Sequence, residues 1–255
     1  MSFLAAVGRP LVAVARYAVG LAALLGCAIP ATLRGLGRPA VRSVLFRQIF
    51  FTGVEAVPLA MLMALAAAMA LSVLSSFLGG VSLAGDFLVV IAFREIGPIA
   101  AATIVVARSA TAVAAELGGM RVLGEIDGLE GMGIDPLEYL VAPRMAGAAV
   151  ALAALTVFVV AGTVAAASLL GAMLQGRSAA ELLTSSLRSI GGVDLVSVVL
   201  KGAVPGGVVA AVACREGLSV GTATDVPRAV RRAAVRGLVG VMAWNLLVTG
   251  LLPRR

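Results

Sequence analysis

The stretch that decides the fold is MAGAAVALAALTVFVVAGTVAAASLLGAMLQG, residues 145–176, which contains no charged side chain. A helix that crosses the hydrocarbon core of a bilayer needs roughly 20 mostly apolar residues, and these 32 positions exceed that length. A second uncharged stretch occupies residues 56–85, between Glu55 and Asp86. The sequence therefore predicts an all-α integral membrane protein.

The composition of the whole chain supports this prediction. Of its 255 residues, 61% are apolar and 13% are charged, whereas soluble domains carry about 45–50% apolar and about 25% charged residues. The chain has no histidine, which excludes histidine-based catalysis and HExxH zinc sites. Its only lysine is Lys201, and no G-x-x-x-x-G-K-[ST] loop surrounds it. We therefore expect no metal, no cofactor and no ATP-binding loop in this chain.

Charge-free gaps in the sequence mark the membrane spans. Two apolar stretches are interrupted by charge: one contains Arg94, Glu95 and Arg108, and the other contains Asp194 and Lys201. Including these, the sequence predicts five membrane-spanning helices, near residues 54–78, 87–115, 147–175, 193–213 and 236–252. We expect a permease domain over residues 54–255, with a cytoplasmic loop at 116–146.

The N-terminal region, residues 1–53, allows more than one interpretation. Its uncharged segment 17–33 has arginines on both flanks and is interrupted by Gly26 and Pro30. These features favour a helix that lies in the membrane interface. A short sixth span and a cleaved signal peptide are the alternatives, although cleavage would place the following arginines outside, against the positive-inside tendency.

The distribution of basic residues predicts the orientation. With five spans and the N-terminus inside, the inner segments hold 13 Lys and Arg residues and the outer segments hold four. Because positive charge accumulates in cytoplasmic loops, we expect a cytoplasmic N-terminus and a C-terminus on the outer side.

The inner loop 116–146 differs from the other inner segments because its net charge is −4. A loop whose charge opposes that of its neighbours suggests a protein partner rather than anionic lipid. Ile126, Leu129 and Met132 have helical spacing, Gly133 can end that helix, and Asp135 can begin the next. A solvated connecting loop is the alternative.

Four polar residues within the spans share one predicted depth. Counted along their helices, Arg94, Glu95, Lys201 and Asn245 lie roughly 10–14 Å below the outer boundary. Intramembrane charges usually mark a pair, a cavity or a pathway, and Glu95 with Lys201 is the expected pair. Both a structural ion pair and a lining of an outward-facing lipid cavity are compatible with this depth. Arg108 is predicted to anchor the inner boundary.

The motifs of this chain resemble those of the MlaE/YrbE permease family, the membrane subunits of ABC transporters that work with MCE-domain proteins. The resemblance covers roughly residues 40–252 and continues through Asp194 and Lys201. It is carried by Phe93-Arg-Glu-Ile-Gly-Pro98, Ala114-Ala-Glu-Leu-Gly-Gly-Met-Arg121, Glu125-Ile-Asp-Gly-Leu-Glu-Gly-Met-Gly-Ile-Asp-Pro136, Pro143-Arg144 and Arg228-Ala-Val-Arg-Arg-Ala-Ala-Val235.

This resemblance implies a fold and a set of partners. The fold is an N-terminal interfacial helix followed by five membrane helices, assembled as a homodimer in the bacterial inner membrane. The partners are a separate ABC ATPase, an MCE-domain protein and in some systems a STAS-domain subunit, and the chain itself is a transport subunit rather than an enzyme. The implied substrate is phospholipid or a related lipid, moved between the inner membrane and the outer envelope.

The resemblance also assigns roles to residues. The residues expected at the substrate cavity are Arg94, Glu95, Lys201, Asn245 and Glu55. Those expected to couple to the ATPase are Glu116, Arg121, Glu125, Asp127, Leu129, Glu130, Met132 and Asp135.

The sequence departs from the family pattern in two places. Gly124 and Gly128 occupy the coupling motif, where each glycine within a helix costs roughly 1 kcal/mol relative to alanine, so docking on the ATPase is expected to order it. Relatives often carry an aspartate where this chain has Asn245. Two other function classes remain open: a stand-alone secondary transporter or channel, which would be expected to contain internal repeats, and a membrane enzyme that acts on lipid.

Overall fold

The computed structural model describes residues 2–35, 37–77, 91–176 and 178–251, and every regular element within these ranges is helical. Residues 87–90, the start of the predicted second span, lie outside the described residues. The predicted all-α fold class is confirmed.

Ten α-helices occur in the described part of the chain. They are α1 (Ser2–Gly35), α2 (Pro39–Thr52), α3 (Val57–Phe77), α4 (Gly97–Val105), α5 (Thr111–Val122), α6 (Glu125–Gly131), α7 (Ala142–Gln175), α8 (Ala179–Arg188), α9 (Gly192–Leu218) and α10 (Val226–Leu251). Short π-helical turns precede α4 (Ala92–Ile96), join it to α5 (Val106–Ala110) and precede α7 (Leu137–Val141). Two 3-10 turns, Val54–Ala56 and Ala223–Asp225, precede α3 and α10.

Six segments of the described residues are long and apolar enough to cross a membrane: Arg16–Gly35, Pro39–Leu74, Arg94–Val122, Leu137–Leu174, Gly192–Leu218 and Ala223–Leu251. The last five correspond to the predicted spans. The first predicted span therefore begins at Pro39 rather than near residue 54, because only a 3-10 turn separates α2 from α3.

Helices α2 and α3 together lie alongside α7 and run in the same direction. The side chain of Gln48 packs against Gly147 near the start of both, and Ala64 packs against Gly162 further along. Ser72 then donates a hydrogen bond to the carbonyl of Ala167. Two parallel segments of this length need an intervening segment that returns across the membrane, which is the role of α4 and α5.

Helix α1 lies across the end of the bundle that carries residues 123–136, which we call the loop end. Near one end of its apolar segment, Tyr17 contacts Glu216, close to the end of α9. Near the other end, Thr32 donates to the carbonyl of Ala142, the first residue of α7. Because both contacts are made at the loop end, they favour an interfacial position of α1 over a membrane-spanning one.

Small residues set the close packing of α9 against α7. Gly206 lies so near α7 that a Cβ atom on it would be 2.5 Å from the carbonyl oxygen of Ala148, and one on Gly202 would be 2.7 Å from the Cα of Ala153. Backbones approach this closely in membrane helices where the facing residues are small. The G-x-x-x-G pair of α9 is therefore a packing element within one chain.

Helix α8 was not predicted from the sequence. It lies between α7 and α9 at the end opposite the loop end, and its Leu182 side chain packs against Gly171. The segment AAELLTSSLR places its three leucines on one face and Glu181 and Arg188 on the opposite face, which is typical of a helix that lies on an apolar surface.

The α7–α9 contact generates a matched test. Gly206→Ala would force a methyl group against the α7 backbone, and overpacking of this kind costs about 1–3 kcal/mol. Gly207→Ala meets only the Cβ of Ala149 at 4.0 Å and gains helix propensity. We expect Gly206→Ala to lower the thermal unfolding midpoint in mild detergent and Gly207→Ala to leave it unchanged or raised. Equal midpoints for the two variants would contradict the packing described here.

Candidate functional site

A buried polar cluster lies near the end of the bundle opposite the loop end. The π-helical turn before α4 contributes Arg94 and Glu95. Helices α9 and α10 contribute two residues each, spaced so that both members of each pair lie on one face. The cluster consists of Arg94, Glu95, Asp194, Lys201, Asn245 and Thr249.

Lys201 is the centre of this cluster. Its ammonium group donates to Glu95 Oε1 at 2.9 Å, to Thr249 Oγ1 at 2.7 Å and to the carbonyl of Arg94. These three acceptors use all three N–H donors of the ammonium. The side chain of Lys201 is only 2% exposed, so its charge is compensated entirely by protein groups.

Glu95 receives hydrogen bonds on both carboxylate oxygens. Lys201 and Thr249 donate to Oε1, the latter at 2.7 Å, and the Asn245 amide donates to Oε2 at 3.0 Å. Its side chain is 32% exposed. Glu95 is thus the member of the pair that a ligand entering from outside the chain can reach.

Arg94 forms a second ion pair with Asp194, in which Nε donates to Oδ1 at 2.6 Å. The other oxygen of Asp194 accepts the backbone N–H of Gly191 at 2.9 Å and so caps α9. Two cations and two anions make the cluster electrically neutral, as burial in an apolar bundle requires.

The amide oxygen of Asn245 has no hydrogen-bond partner among the described residues, although it is buried. A buried acceptor without a donor costs about 1–3 kcal/mol. Asn245 therefore holds an unpaired acceptor beside Glu95, which a hydroxyl or ammonium group could reach only if the surrounding side chains moved aside.

The predicted contact between Glu95 and Lys201 is present, and Asn245 joins it. The guanidinium group of Arg94 pairs with Asp194 and not with the neighbouring Glu95. Sequence analysis did not place Asp194 or Thr249 in the site. Their spacing was the available signal, because Asp194 precedes Lys201 by two helical turns and Thr249 follows Asn245 by one.

Glu55 does not belong to the cluster. It is exposed, and it pairs with Arg108, which lies 14 residues, or roughly 21 Å, along the second span from Arg94. Arg108 also donates to the carbonyl of Phe51 at 2.7 Å and lies over its ring. The resemblance places Glu55 at the substrate cavity, and this role stays a prediction, whereas the pair with Arg108 joins the second span to the first.

The acidic loop forms a short capped helix, α6, at the loop end. Ile126 is buried beneath it, whereas the side chains of Glu125, Asp127 and Glu130 are exposed. Leu129 is half-buried, and Met132 is 69% exposed. The predicted helical spacing is confirmed for Ile126 and Leu129, whereas Met132 follows the last residue of α6. The helix separates a buried apolar contact from an exposed acidic face.

Turns at both ends define α6. Gly124 has a φ of 76° and precedes the helix, so of the two glycines predicted to be helical, Gly124 and Gly128, only Gly128 lies within it. Gly133 has a φ of 75°, and the N–H of Ile134 bonds the carbonyl of Leu129 at 3.0 Å. This left-handed C-terminal turn is the Schellman motif, and it ends α6 at the predicted position.

Ion pairs fix the base of the loop. Arg144, whose side chain is 7% exposed, donates to Glu116 Oε1 at 2.9 Å and joins the start of α7 to α5. Arg121 pairs with Asp127 at 2.5 Å, and Asp135 accepts the backbone N–H of Leu137 at 2.8 Å, as expected for a residue that begins the next helix. Glu116 and Arg121 therefore support the loop from within the chain.

A double-mutant cycle tests the central pair. Glu95→Gln leaves the buried Lys201 charge uncompensated, whereas Lys201→Met leaves the less buried Glu95, so we expect the former to destabilise the protein more. The double variant should be less destabilised than the sum of the single variants, with a coupling of about 1–3 kcal/mol. Unfolding in mild detergent measures it, and strictly additive effects would contradict the direct pairing.

Comparison with known proteins places the chain in a family. A sequence model described as Permease MlaE matches residues 45–251. A probable ABC transporter permease protein of Rickettsia conorii is 29% identical over 219 residues, which are 84% of each chain. The protein TRIGALACTOSYLDIACYLGLYCEROL 1, chloroplastic, of Arabidopsis thaliana is 31% identical over 157 residues, 61% of this chain and 45% of that protein.

The intermembrane phospholipid transport system permease protein MlaE of Haemophilus influenzae is 29% identical over 149 residues, 55% of this chain and 57% of that protein. The chain thus matches less than half the length of the Arabidopsis relative and most of the length of the Rickettsia relative. The family match includes the polar cluster, the acidic loop and all helices from within α2 to α10. This chain belongs to the MlaE permease family.

Proposed function

We propose that this chain is the membrane subunit of an ABC transporter that moves phospholipid between the inner membrane and the outer envelope. The observation that carries the proposal is the combination of family membership with two separate polar features in one bundle. One is a neutral polar cluster within the span, and the other is a rigid acidic helix at the loop end. The phospholipid transport named for the Haemophilus relative supports this substrate class.

The acidic loop is the proposed docking surface for a separate ATPase. Helix α6 is held by turns at both ends and by the Arg121–Asp127 pair. It can therefore pass a movement of the bound ATPase to the membrane helices without unfolding. Its exposed acids are followed in the chain by an exposed apolar side chain, Met132. This surface suits a partner groove that has an apolar floor and a basic rim.

The polar cluster is the proposed contact for the lipid head group. Glu95 is the accessible carboxylate and Asn245 provides the free acceptor, while the neighbouring helix faces are Ala, Val and Leu that suit acyl chains. A neutral cluster of donors and acceptors fits a zwitterionic or weakly charged head group better than a strongly anionic one.

The remaining partners follow from the family. Two copies of the chain would enclose the lipid cavity, an MCE-domain protein would receive or deliver lipid on the outer side, and a STAS-domain subunit would accompany the ATPase in some systems. The N-terminus and the acidic loop would face the cytoplasm, and the C-terminus the periplasm. The excess of arginine at the loop end supports this orientation.

The docking proposal is tested by reversing charge on α6. Glu125 and Glu130 are exposed and make no ion pair among the described residues, so Glu125→Lys with Glu130→Lys should leave the fold intact. We expect the ATPase to be lost from the complex purified in mild detergent, because like charges across an interface repel.

The matched control is Glu181→Lys on α8, an exposed acid at the opposite end of the bundle. It should retain the ATPase at the wild-type ratio. Full retention of the ATPase by the Glu125/Glu130 variant, with an unchanged unfolding midpoint, would overturn the assignment of this surface.

Lipid transport tests the role of the cluster. Asn245→Leu removes the free acceptor and the hydrogen bond to Glu95 but keeps every charge. We expect ATP-dependent transfer of labelled phospholipid from vesicles that contain the whole complex to fall about tenfold, while the complex stays assembled. Leu246→Ala, at an exposed apolar position, is the control. Unchanged transfer in a folded Asn245→Leu complex would separate the cluster from the lipid path.

A further inference from the structure

A second polar cluster lies at the loop end, where α1 crosses α9 and α10. We call it the basic corner, and it consists of Tyr17, Arg215, Glu216, Arg232 and Arg236. It is remote from the cluster around Lys201, because Lys201 and Glu216 are separated by 15 residues, or roughly 22 Å, along α9.

Glu216 is the only carboxylate of the basic corner, and both of its oxygens already accept hydrogen bonds. Its side chain is 4% exposed. Arg232 donates to Oε2 at 2.7 Å, while Arg236 and the Tyr17 hydroxyl donate to Oε1, the latter at 3.1 Å. Two guanidinium groups thus already share this one charge.

Arg215 has no counter-charge. Its guanidinium donates to the carbonyl of Tyr17 at 2.8 Å and lies 4.2 Å above the centre of the Tyr17 ring, which Arg236 also covers. Gly20 permits this position, since a Cβ there would lie 2.8 Å from the guanidinium. Arg215 makes no ion pair within the part of the chain that the structure describes.

No other acidic residue in the described part of the chain supplies the missing anion. The chain has no Asp or Glu before Glu55, so the α1 side chains cannot provide one, and Asp86 is the single acidic residue outside the described ranges. Three guanidinium groups around one carboxylate leave a net charge of +2. A half-buried positive charge without a partner is unfavourable unless an anion from outside the chain completes it.

We propose that the basic corner binds the phosphate of an anionic phospholipid from the leaflet at the loop end. Guanidinium groups recognise phosphate through paired N–H donors. The side chains of Arg232 and Arg236 are 38% and 43% exposed, so a head group can reach them. Helix α1, which lies across the bundle end, places this corner at the level where head groups are found.

The bound lipid is distinct from the transported one. It closes a network that joins α1 to α9 and α10 and contributes to the position of α1. The inference therefore goes beyond the proposed function and does not depend on it, and it is tested on the purified full chain without partners.

The test titrates phosphatidylglycerol or phosphatidylcholine into the protein in mild detergent. The shift in the thermal unfolding midpoint at each lipid concentration gives the apparent affinity for that lipid. Wild type should bind phosphatidylglycerol more tightly. Arg215→Gln should weaken the apparent affinity for phosphatidylglycerol about tenfold. Arg231→Gln removes an equal charge from an exposed position on α10 that makes no ion pair among the described residues, and it should bind like wild type.

A second variant removes no charge. Gly20→Val would push the Arg215 guanidinium off α1 and should also weaken the preference for phosphatidylglycerol. An undiminished preference in folded Arg215→Gln or Gly20→Val protein would overturn the proposal, as would an equal loss in Arg231→Gln. A stabilisation by inorganic phosphate that matches the one by phosphatidylglycerol would overturn the assignment to lipid and identify a soluble anion as the ligand.

Discussion

An ammonium group inside an apolar helix bundle has no water to hydrate it, and the half of this structure opposite the loop end is arranged around that constraint. Lys201 must find its acceptors on neighbouring helices, and it takes them from the turn before α4 and from α10. Because each removed acceptor would leave a buried donor unsatisfied, the three segments are fixed relative to one another. The helices otherwise meet through Ala, Gly and Val. Contacts between such small side chains set the distance between two helices but hardly determine how the helices are aligned along their axes.

The same constraint explains how the ion pairs are distributed. Three ion pairs join different segments of the bundle: Arg94–Asp194, Glu55–Arg108 and Glu116–Arg144. Each of these pairs therefore determines which two segments lie next to each other. The second span takes part in all three, at successive levels along its length. It is therefore the helix whose position relative to the rest of the bundle is most completely defined by charge.

The sequence alone predicted the features that depend on the periodicity of apolar residues and on the positions of charged ones. It predicted the five spans, the C-terminal end of α6 and the Glu95–Lys201 contact. It did not predict the pair of Glu55 with Arg108, because which charged residues meet depends on the rotation of each helix, and alanine-rich helices carry almost no amphipathic signal. It also missed the 3-10 turn that lets α2 extend the first span, since a break of three residues looks like a boundary in a hydropathy pattern.

The bonds of the cluster differ in what a helix movement would do to them. Lys201–Thr249 lies within the pair α9 and α10, which Glu216 also ties together at the loop end through Arg232 and Arg236. These two helices are thus joined at both ends, so we expect a shift to move them together. Such a shift would keep Lys201–Thr249 but stretch the bonds from Lys201 and Asn245 to Glu95, which belongs to the second span. The partly exposed Glu95 is therefore the point at which a change in helix packing would alter the hydrogen bonds and the exposed charge of the cluster.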